Sequence, residues 1–335
     1  MQKVKIGVVG VGHLGKLHLK LLKEISEAEC VGIFDSDKAN AQLMSEQYEV
    51  KNFSSIDELL SNVEAVVVAA PTSFHHEIGI KALDKNVNLF IEKPITTTVE
   101  QANELINKSE KKKLLIQVGH IERFNPALLA LEKYNLEPMF IQCDRLSQFN
   151  PRGTDVAVVL DLMIHDIDII LNLVKSDVEK VDANGVAVVS DSIDIANARI
   201  QFKNGCVANV TASRISQKKM RKMRMFQKDA YITIDFLQGS SEIYRLVSPE
   251  EEALGISYGE IGIGDRKKKV VYEQPEIPYV NALKYELELF IRSVQNKSEV
   301  VVTALDGKRA LEVADEIINK INLNISNLKI ISKGR

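Results

Sequence analysis

The sequence predicts an α/β protein in which a doubly wound parallel sheet is followed by an α/β domain with a large, open, mostly antiparallel sheet. In the first third of the chain, apolar strand patterns alternate with helical patterns, as they do in βαβ units. Beyond residue 126, strand-like segments follow one another, and Lys203-Asn204-Gly205 marks a short turn between two of them. A chain of 335 residues has room for two domains, which we place at 1–120 and 121–335.

The first domain is predicted from strand and helix patterns that alternate regularly. We expect strands at 4–9, 29–34, 51–53, 63–69, 88–91 and 114–118. We expect helices near 14–25, 37–48 and 75–84, and one more that is opened by a capping box at Thr98 and Gln101. In a parallel sheet of this kind, ligands bind at the carboxyl ends of the strands.

The second domain is predicted from longer strand patterns that are joined by short turns. We expect strands at 139–145, 178–189, 193–202, 207–213, 219–227 and 231–235, and helices near 158–174, 281–295 and 305–321. The terminal helix is expected to pack back on the first domain. The polar, glycine-punctuated stretch 249–269 is interpreted as a mobile loop.

Composition and charge narrow the class of protein. The net charge of −3 gives no electrostatic reason to expect nucleic acid or an anionic membrane as a partner. Cys30, Cys143 and Cys206 lack the spacing of metal ligands and lie in apolar strand-like stretches, which favours buried thiols in a reducing compartment. Met1 leads directly into the first strand, and charged residues interrupt the longest apolar stretch, 156–174. We therefore expect a soluble, cytoplasmic protein without a bound metal.

The motif Gly10-Val11-Gly12-His13-Leu14-Gly15 stands between a strand pattern and a helix pattern. There the glycines permit a tight turn, a close approach to a pyrophosphate and packing of helix on strand, while the helix N-terminus faces the anion. Asp35 ends the second strand about twenty residues later, where an acid accepts hydrogen bonds from a ribose diol and repels a 2′-phosphate. We therefore predict that NAD, rather than NADP, binds these residues. The alternative is a glycine-rich turn with an incidental acid and a solvent-facing His13.

The helix predicted near 158–174 carries a narrow polar stripe. On a helical wheel, His165 and Asp168 lie within about 40° of Asp161, and apolar residues cover most of the remaining surface. Buried carboxylates are unfavourable unless they are paired or used, so the stripe indicates a lined cavity. A structural histidine–aspartate network and a metal site remain alternatives. Asp166 points elsewhere and is expected to cap or pair locally.

These motifs, together with Glu92-Lys93-Pro94, resemble the glucose–fructose oxidoreductase / inositol dehydrogenase / MocA family over nearly the whole chain. The resemblance implies a Rossmann domain followed by an α/β domain whose sheet commonly forms subunit interfaces, so we expect a homodimer or homotetramer. It also implies reversible hydride transfer between NAD(P) and a hydroxyl-bearing carbon of a sugar or cyclitol. A non-catalytic NAD-bound sensor or scaffold is the alternative from another class.

The resemblance assigns roles to residues of the proposed active site. His165 could accept the hydroxyl proton, Lys93 could stabilise the developing alkoxide, and Asp161 could hold the histidine or a neighbouring hydroxyl. Which of Lys93 and His165 is the base stays open. A cis bond is expected before Pro94. Further cofactor contacts are implied for Pro71, His75, Glu92 and Lys93, which would lie beside the nicotinamide, although His75 could instead have only a packing role.

A narrower likeness lies in the string from Gly119 to Pro126. Within the family it resembles a subgroup that oxidises the C3 hydroxyl of UDP-N-acetylglucosamine to a ketone, which an aminotransferase partner can then aminate. The implied substrate-binding residues, besides Asp161 and His165, are His120, Arg123, Asn125 and Arg152. Salt bridging is the alternative for both arginines. The basic run 218–224 is interpreted as a solvated or interface strand, with diphosphate binding as the alternative. A dehydrogenase of a free sugar or cyclitol remains the competing function.

Overall fold

The computed structural model describes the backbone of residues 3–150, 156–251 and 255–333. By its internal contacts the chain divides into two compact units, one made of Met1–Phe124 with Val280–Glu312 and the other of Asn125–Tyr279 with Val313–Arg335. The first unit therefore includes a segment that lies between two parts of the second unit in the sequence. Among the described residues, no helix combines the length and the apolar character that crossing a membrane requires.

The described strands and helices are numbered in chain order. The strands are β1 (Val4–Val9), β2 (Ala28–Phe34), β3 (Lys51–Asn52), β4 (Ala65–Val68), β5 (Asn88–Glu92), β6 (Ile116–Gly119), β7 (Phe140–Leu146), β8 (Val178–Val186), β9 (Ile195–Phe202), β10 (Val207–Ser213), β11 (Met220–Phe226), β12 (Ala230–Asp235), β13 (Ser240–Val247), β14 (Ile256–Ile261) and β15 (Lys268–Glu273). The helices are α1 (His13–Glu24), α2 (Lys38–Tyr48), α3 (Ile56–Leu60), α4 (His75–Asp84), α5 (Val99–Lys112), α6 (Pro126–Leu129), α7 (Ile164–Val174), α8 (Ala282–Val294) and α9 (Ala304–Lys333).

The first unit is built on one parallel sheet, as predicted. Its strand order is β3-β2-β1-β4-β5-β6, and every neighbouring pair is parallel. All four residues of β4 are buried, because helices cover both faces of such a sheet. The order of the strands reverses between β1 and β4, and in doubly wound sheets the ligand crevice lies at that reversal, outside the carboxyl ends.

Helix α8 belongs to the first unit because of its apolar face. Leu283, Leu287, Phe290 and Ile291 join the core cluster that α1 and β1 also supply. Full burial of a side chain of this size stabilises the fold by about 1.5–3 kcal/mol. The order of elements along the chain does not show that α8 belongs to the first unit, since about 150 residues of the second unit intervene between β6 and α8.

Side chains that bind backbone amides fix where several helices begin. Asp37 accepts hydrogen bonds from the Ala39 and Asn40 amides at the start of α2. Thr98 accepts one from the amide of Gln101, as the predicted capping box requires. The Gln101 side chain returns to the amide of the residue before Thr98, so the box is shifted by one residue at its return bond.

The second unit contains the predicted open and mostly antiparallel sheet. Its order is β14-β15-β13-β12-β11-β7-β10-β9-β8, and within the described residues β7 and β10 form its one parallel pair. One face of the sheet carries an aromatic stripe, which we define by one ring from each of six strands. Its members are Phe140, Phe226, Tyr231, Tyr244, Tyr258 and Tyr272.

The predicted loop at 249–269 is wrong, because this stretch contains β14 and the start of β15. All six residues of β14 are exposed, so this edge strand lacks the apolar alternation by which strands are detected. Strand β13 was also missed. It buries Ser241, Ile243 and Val247, and a buried serine does not register as an apolar position.

A buried ion pair holds α7 against the sheet. The Arg145 side chain on β7 donates two hydrogen bonds to the Asp166 carboxylate, from Nε over 2.9 Å and from a terminal nitrogen over 2.8 Å. Both side chains are almost completely buried. Asp166 was expected to cap or pair locally, but its partner lies on another element, 21 residues away. Paired, two-pronged contact is what makes such a buried carboxylate tolerable.

Replacing Arg145 should destabilise the protein strongly. Arg145→Leu removes the guanidinium partner of a buried carboxylate, and we expect the free energy of unfolding to fall by about 3–5 kcal/mol. Arg145→Leu/Asp166→Leu should be less destabilised than the single variant. The control is Arg224→Leu, because Arg224 is half exposed and lies 3.8 Å from Asp144, so its loss should cost under about 1 kcal/mol. Urea unfolding followed by circular dichroism measures all three, and equal losses in Arg145→Leu and Arg224→Leu would contradict the prediction.

Candidate active site

The three glycines of the loop after β1 are each required for a different reason. Gly10 has a φ of +85°, and a Cβ there would lie 2.7 Å from the Ala70 amide nitrogen. A Cβ on Gly15 would overlap the Gly10 carbonyl oxygen, so helix and strand could not pack as they do. A Cβ on Gly12 would meet no atom of the described residues within 4 Å. Gly12 therefore faces open space, as a loop that admits a pyrophosphate must.

The N-terminus of α1 is suited to an anion. No described side chain caps this helix, and its first turn contains no acidic residue. Its first amides are therefore available to a phosphate, and the helix dipole favours negative charge there. His13 and Leu14 occupy this first turn with exposed side chains, so their backbone amides are the groups that fit the cofactor role predicted for them.

Asp35 lies at the carboxyl end of β2 and holds the glycine loop. One carboxylate oxygen accepts a hydrogen bond from the Val11 amide over 2.7 Å, and the other accepts one from the Asp37 amide over 2.9 Å. The Asn40 side chain donates to the Val11 carbonyl over 3.1 Å, so the Val11 residue is held at both its N–H and its C=O. Sequence reasoning missed Asn40, although its place in the first turn of the helix after Asp35 was a usable signal.

Lys93 follows the last residue of β5, and the Lys93–Pro94 bond is cis, as the resemblance implies. Glu92 was predicted to contact the cofactor. Its carboxylate is buried and meets His18 of α1 at 2.6 Å, and the cofactor contact stays a prediction. Pro71 is exposed and precedes the 3₁₀ turn Thr72–Phe74, and its carbonyl accepts a hydrogen bond from the last residue of that turn.

His75 makes packing contacts in the structure. Its two ring nitrogens lie 2.9 Å from the Pro94 carbonyl oxygen and 2.8 Å from the Ala70 carbonyl oxygen. Burial lowers the pKa of His75 and outweighs the carbonyl groups and the Glu92 charge, which raise it. The residue ties the loop after β4 to the loop after β5.

The residues of the loop after β6 that were predicted to bind substrate make structural contacts. His120 is buried, as is Arg123, and the Arg123 guanidinium lies 3.7 Å from the Asp306 carboxylate at the start of α9. The salt-bridge alternative is therefore the one that the structure shows for Arg123. Asn125 caps α6: its side-chain oxygen accepts from the Ala127 amide, while its nitrogen donates to the Phe236 carbonyl. Arg152 lies outside the described residues.

The helix that carries Asp161 and His165 begins with a π-helical turn, Val159–Met163. The helical wheel assumed about 100° per residue, and a π turn advances by less, so the predicted angle between these two residues does not hold. Asp161 and His165 are half buried, whereas Asp168 is fully buried, so the three members of the predicted polar stripe are not equally accessible. π turns occur frequently at functional sites.

Contacts that the sequence did not reveal anchor the start of this helix. The Val158 amide donates to the Ile193 carbonyl over 2.9 Å, and the Arg214 side chain donates to the Val156 carbonyl. Asp194 lies beside Arg214 and accepts hydrogen bonds from three consecutive amides of its own loop, at residues 188–190. Position in the sequence does not connect these segments, which meet only in the folded unit.

The basic run 218–224 is paired with acids. Lys222 and Arg224 of β11 lie 3.2 Å and 3.8 Å from carboxylates of Asp235 and Asp144. With Glu242, these residues line a cavity of about 430 Å³ on the sheet. Three carboxylates beside two cations do not favour a diphosphate, so the solvated or interface strand is the better interpretation. Among the described residues, no group of three or more His, Cys, Asp or Glu side chains could hold a metal ion.

Two family models match the chain. One describes an oxidoreductase family with an NAD-binding Rossmann fold and covers residues 4–120, and the other is the GFO/IDH/MocA C-terminal domain over residues 138–235. The chain belongs to the GFO/IDH/MocA oxidoreductase family. It is therefore an oxidoreductase of CH–OH groups with a nicotinamide dinucleotide as cofactor, and the glycine loop, the open space at Gly12 and the α1 N-terminus fit that cofactor.

Individual members of the GFO/IDH/MocA family are similar over almost the whole chain. A UDP-N-acetylglucosamine 3-dehydrogenase from Acidithiobacillus ferrooxidans is 34% identical over 318 residues, which are 95% of this chain and 97% of that protein. A solved structure of that enzyme has a TM-score of 0.86 at 32% identity and covers 96% of this chain and 98% of its own. A myo-inositol 2-dehydrogenase from Thermotoga maritima is 25% identical, with 92% and 93% covered.

Alanine at two of these glycines should separate binding from folding. A methyl group at Gly12 enters open space, so we expect Gly12→Ala to fold normally and to lose NADH affinity by roughly tenfold or more, which is about 1.4 kcal/mol. A methyl group at Gly15 overlaps backbone, so Gly15→Ala should lower the melting temperature. Thermal unfolding and titration of NADH fluorescence measure both effects. Unchanged NADH affinity in Gly12→Ala would show that no phosphate approaches this position.

Proposed function

We propose that this enzyme oxidises the C3 hydroxyl of UDP-N-acetylglucosamine to a ketone and reduces NAD. The observation that carries the proposal is the 34% identity over 95% of the chain with an enzyme named for that reaction. The proposed reacting residues are present, with Lys93 at the end of β5 and Asp161 and His165 on the helix of the second unit. Fold alone would not support this choice, because one fold hosts many activities.

The chemistry assigns each residue a task. A bound nicotinamide would supply the acceptor for the hydride of C3, and the C3 hydroxyl must lose its proton as the C–H bond breaks. We assign the proton to His165 and the stabilisation of the developing alkoxide to the Lys93 ammonium, with Lys93 as the alternative base. Asp161 binds the neighbouring hydroxyl or orients His165. His120 and Arg152 stay in the proposal as substrate contacts.

NAD rather than NADP is supported by two acids at the end of β2. Asp35 is held by the Val11 and Asp37 amides, and Asp37 itself is exposed at the start of α2. A ribose 2′-phosphate here would meet two carboxylates, whereas a ribose diol would find hydrogen-bond acceptors.

A second candidate function is the oxidation of a free sugar or cyclitol. The similarity to a myo-inositol 2-dehydrogenase over 92% of the chain favours it. The Arg123–Asp306 contact favours it as well, because it removes one of the two arginines that could bind a diphosphate. The lower identity, 25% against 34%, makes this the second choice.

The proposal extends to assembly and location. The aromatic stripe offers a broad apolar surface on one face of the sheet, which suits a homodimer or homotetramer. The three cysteines of the protein are free thiols, which supports a location in the cytoplasm. A 3-keto nucleotide sugar is a substrate for transamination, so an aminotransferase is the proposed downstream partner.

Turnover with the nucleotide sugar is the first expected outcome. NADH absorbance should rise when protein meets NAD and UDP-N-acetylglucosamine, with an aminotransferase and amino donor added to remove the ketone. Lys93→Met and His165→Gln should each lower kcat by roughly 10²–10⁴-fold and keep NADH binding, because each removes a group that acts on the reacting proton or alkoxide.

The controls define what each result means. Lys81→Met removes a surface lysine that is paired with Glu77 and should leave kcat unchanged. Free N-acetylglucosamine and myo-inositol test the substrate. A rise with myo-inositol alone would replace the proposed substrate by the second candidate, and full activity in both variants would refute the proposed residue roles.

Cofactor preference should depend on Asp35. Asp35→Ser removes the carboxylate that repels a 2′-phosphate, so the ratio of NAD to NADP affinity should fall by roughly tenfold or more. The matched control is Asn40→Ala, which loosens the same Val11 peptide without changing charge and should weaken both cofactors alike. Binding titrations with NADH and NADPH give the ratios. Equal losses for both cofactors in Asp35→Ser would remove the basis for NAD preference.

A further inference from the structure

A histidine and a glutamate form a buried pair next to Lys93. His18 of α1 has no exposed surface, and its Nε2 lies 2.6 Å from Oε1 of Glu92, the last residue of β5. The pair joins the helix that follows the glycine loop to the strand that ends at Lys93. Sequence reasoning assigned no role to His18.

Packing holds the His18 ring in one orientation. Its edge meets the ring of Phe90 at a centroid distance of 5.3 Å, and Phe90 meets Phe290 of α8 at 5.7 Å. Phe90 and Glu92 are two residues apart on β5, so they lie on the same face of the sheet. Within the described part of the chain, His18 Nδ1 has no hydrogen-bond partner. The ring proton that forms the hydrogen bond to Glu92 is therefore the one on Nε2.

The Glu92 carboxylate also reaches the backbone of Lys93. Its Oε2 accepts a hydrogen bond from the Lys93 amide over 3.3 Å. Gly119 is the neighbour of Glu92 in β6, and a Cβ there would lie 3.0 Å from Oε2, so the glycine leaves room for the carboxylate.

The Glu92 carboxylate is ionised although it is buried. Burial by itself raises the pKa of Glu92, but the hydrogen bond from His18, the charges of His18 and Lys93 and the Lys93 amide together lower it below its usual value. A buried carboxylate is an expensive group to keep without a use, since its desolvation opposes folding. Here its negative charge lies beside the lysine on which the proposed reaction depends.

We infer that His18 and Glu92 are positioning residues, which fix the direction and the charge of the Lys93 side chain for the chemical step. The inference rests on the proposed function, because it treats Lys93 as a reacting residue. His18 orients the carboxylate, and the carboxylate holds the Lys93 amide and attracts its ammonium. Neither residue has to touch substrate for this role.

Kinetics separates positioning from mere packing. His18→Leu and Glu92→Gln should lower kcat by roughly 10–100-fold, the range found when partners that orient a reacting group are lost, while NADH affinity stays within about threefold of the wild type. His18→Gln keeps an N–H near the Nε2 position and should recover most of kcat. A packing role would instead lower kcat, NADH affinity and melting temperature together, with no recovery in His18→Gln.

The chain offers a matched control. Glu104 of α5 accepts from His76 over 2.8 Å in a histidine–carboxylate pair on the surface of the same unit. Glu104→Gln makes the same chemical change as Glu92→Gln, so its kcat should equal that of the wild type. A loss in Glu104→Gln as large as in Glu92→Gln would overturn the inference.

A readout without sugar substrate tests the inference apart from the proposed function. Formaldehyde and a borohydride reductant methylate neutral amines, and peptide mass spectrometry measures the rate at Lys93. Because a carboxylate favours the charged ammonium, Lys93 should react roughly threefold faster or more in Glu92→Gln, with Lys81 unchanged. If the wild type oxidises no tested sugar and Lys93 still reacts faster, the proposed function fails and the positioning role stands. An unchanged Lys93 rate in Glu92→Gln and His18→Leu would overturn it.

Discussion

The carboxyl edge of the parallel sheet is the constraint on which the cofactor-binding part of this protein depends. All strands of that sheet run in one direction, so the loops after β1, β2, β4 and β5 leave it on the same side. The loops are then tied to one another: Asp35 holds Val11, and His75 lies between the carbonyls of Ala70 and Pro94. These bonds tie the loop after β1 to the loop after β2, and the loop after β4 to the loop after β5.

Buried charge is used in the same way in both units. Arg145 and Asp166 fasten the helix that carries His165, while His18 and Glu92 lie next to the lysine that follows β5. In each pair the desolvated carboxylate is met by hydrogen bonds from its partner, which is the condition under which a buried charge is tolerated. The elements that carry the proposed reacting residues are thus held by buried pairs, and breaking these pairs would destabilise the fold.

Several elements followed from local pattern, and the exceptions have physical causes. The apolar run of β4 and the periodicity of α4 were recognised because burial on both faces, or on one stripe, leaves a period in the sequence. Strand β14 has no buried face and left no such period. The turn at Val159–Met163 is π-helical, and hydrophobic pattern does not distinguish a π turn from an α turn.

The sequence by itself determined the cofactor class and the family and suggested the proposed reacting side chains, because the glycine spacing, Asp35, Lys93 and His165 are local motifs whose chemistry is carried by residue type. Only the tertiary structure decided which polar side chains are already engaged. In the structure Arg123 lies beside Asp306, and Glu92 lies beside His18. These partners lie 183 and 74 residues away along the chain, and a pairing over such a distance is set by packing, on which no local pattern depends.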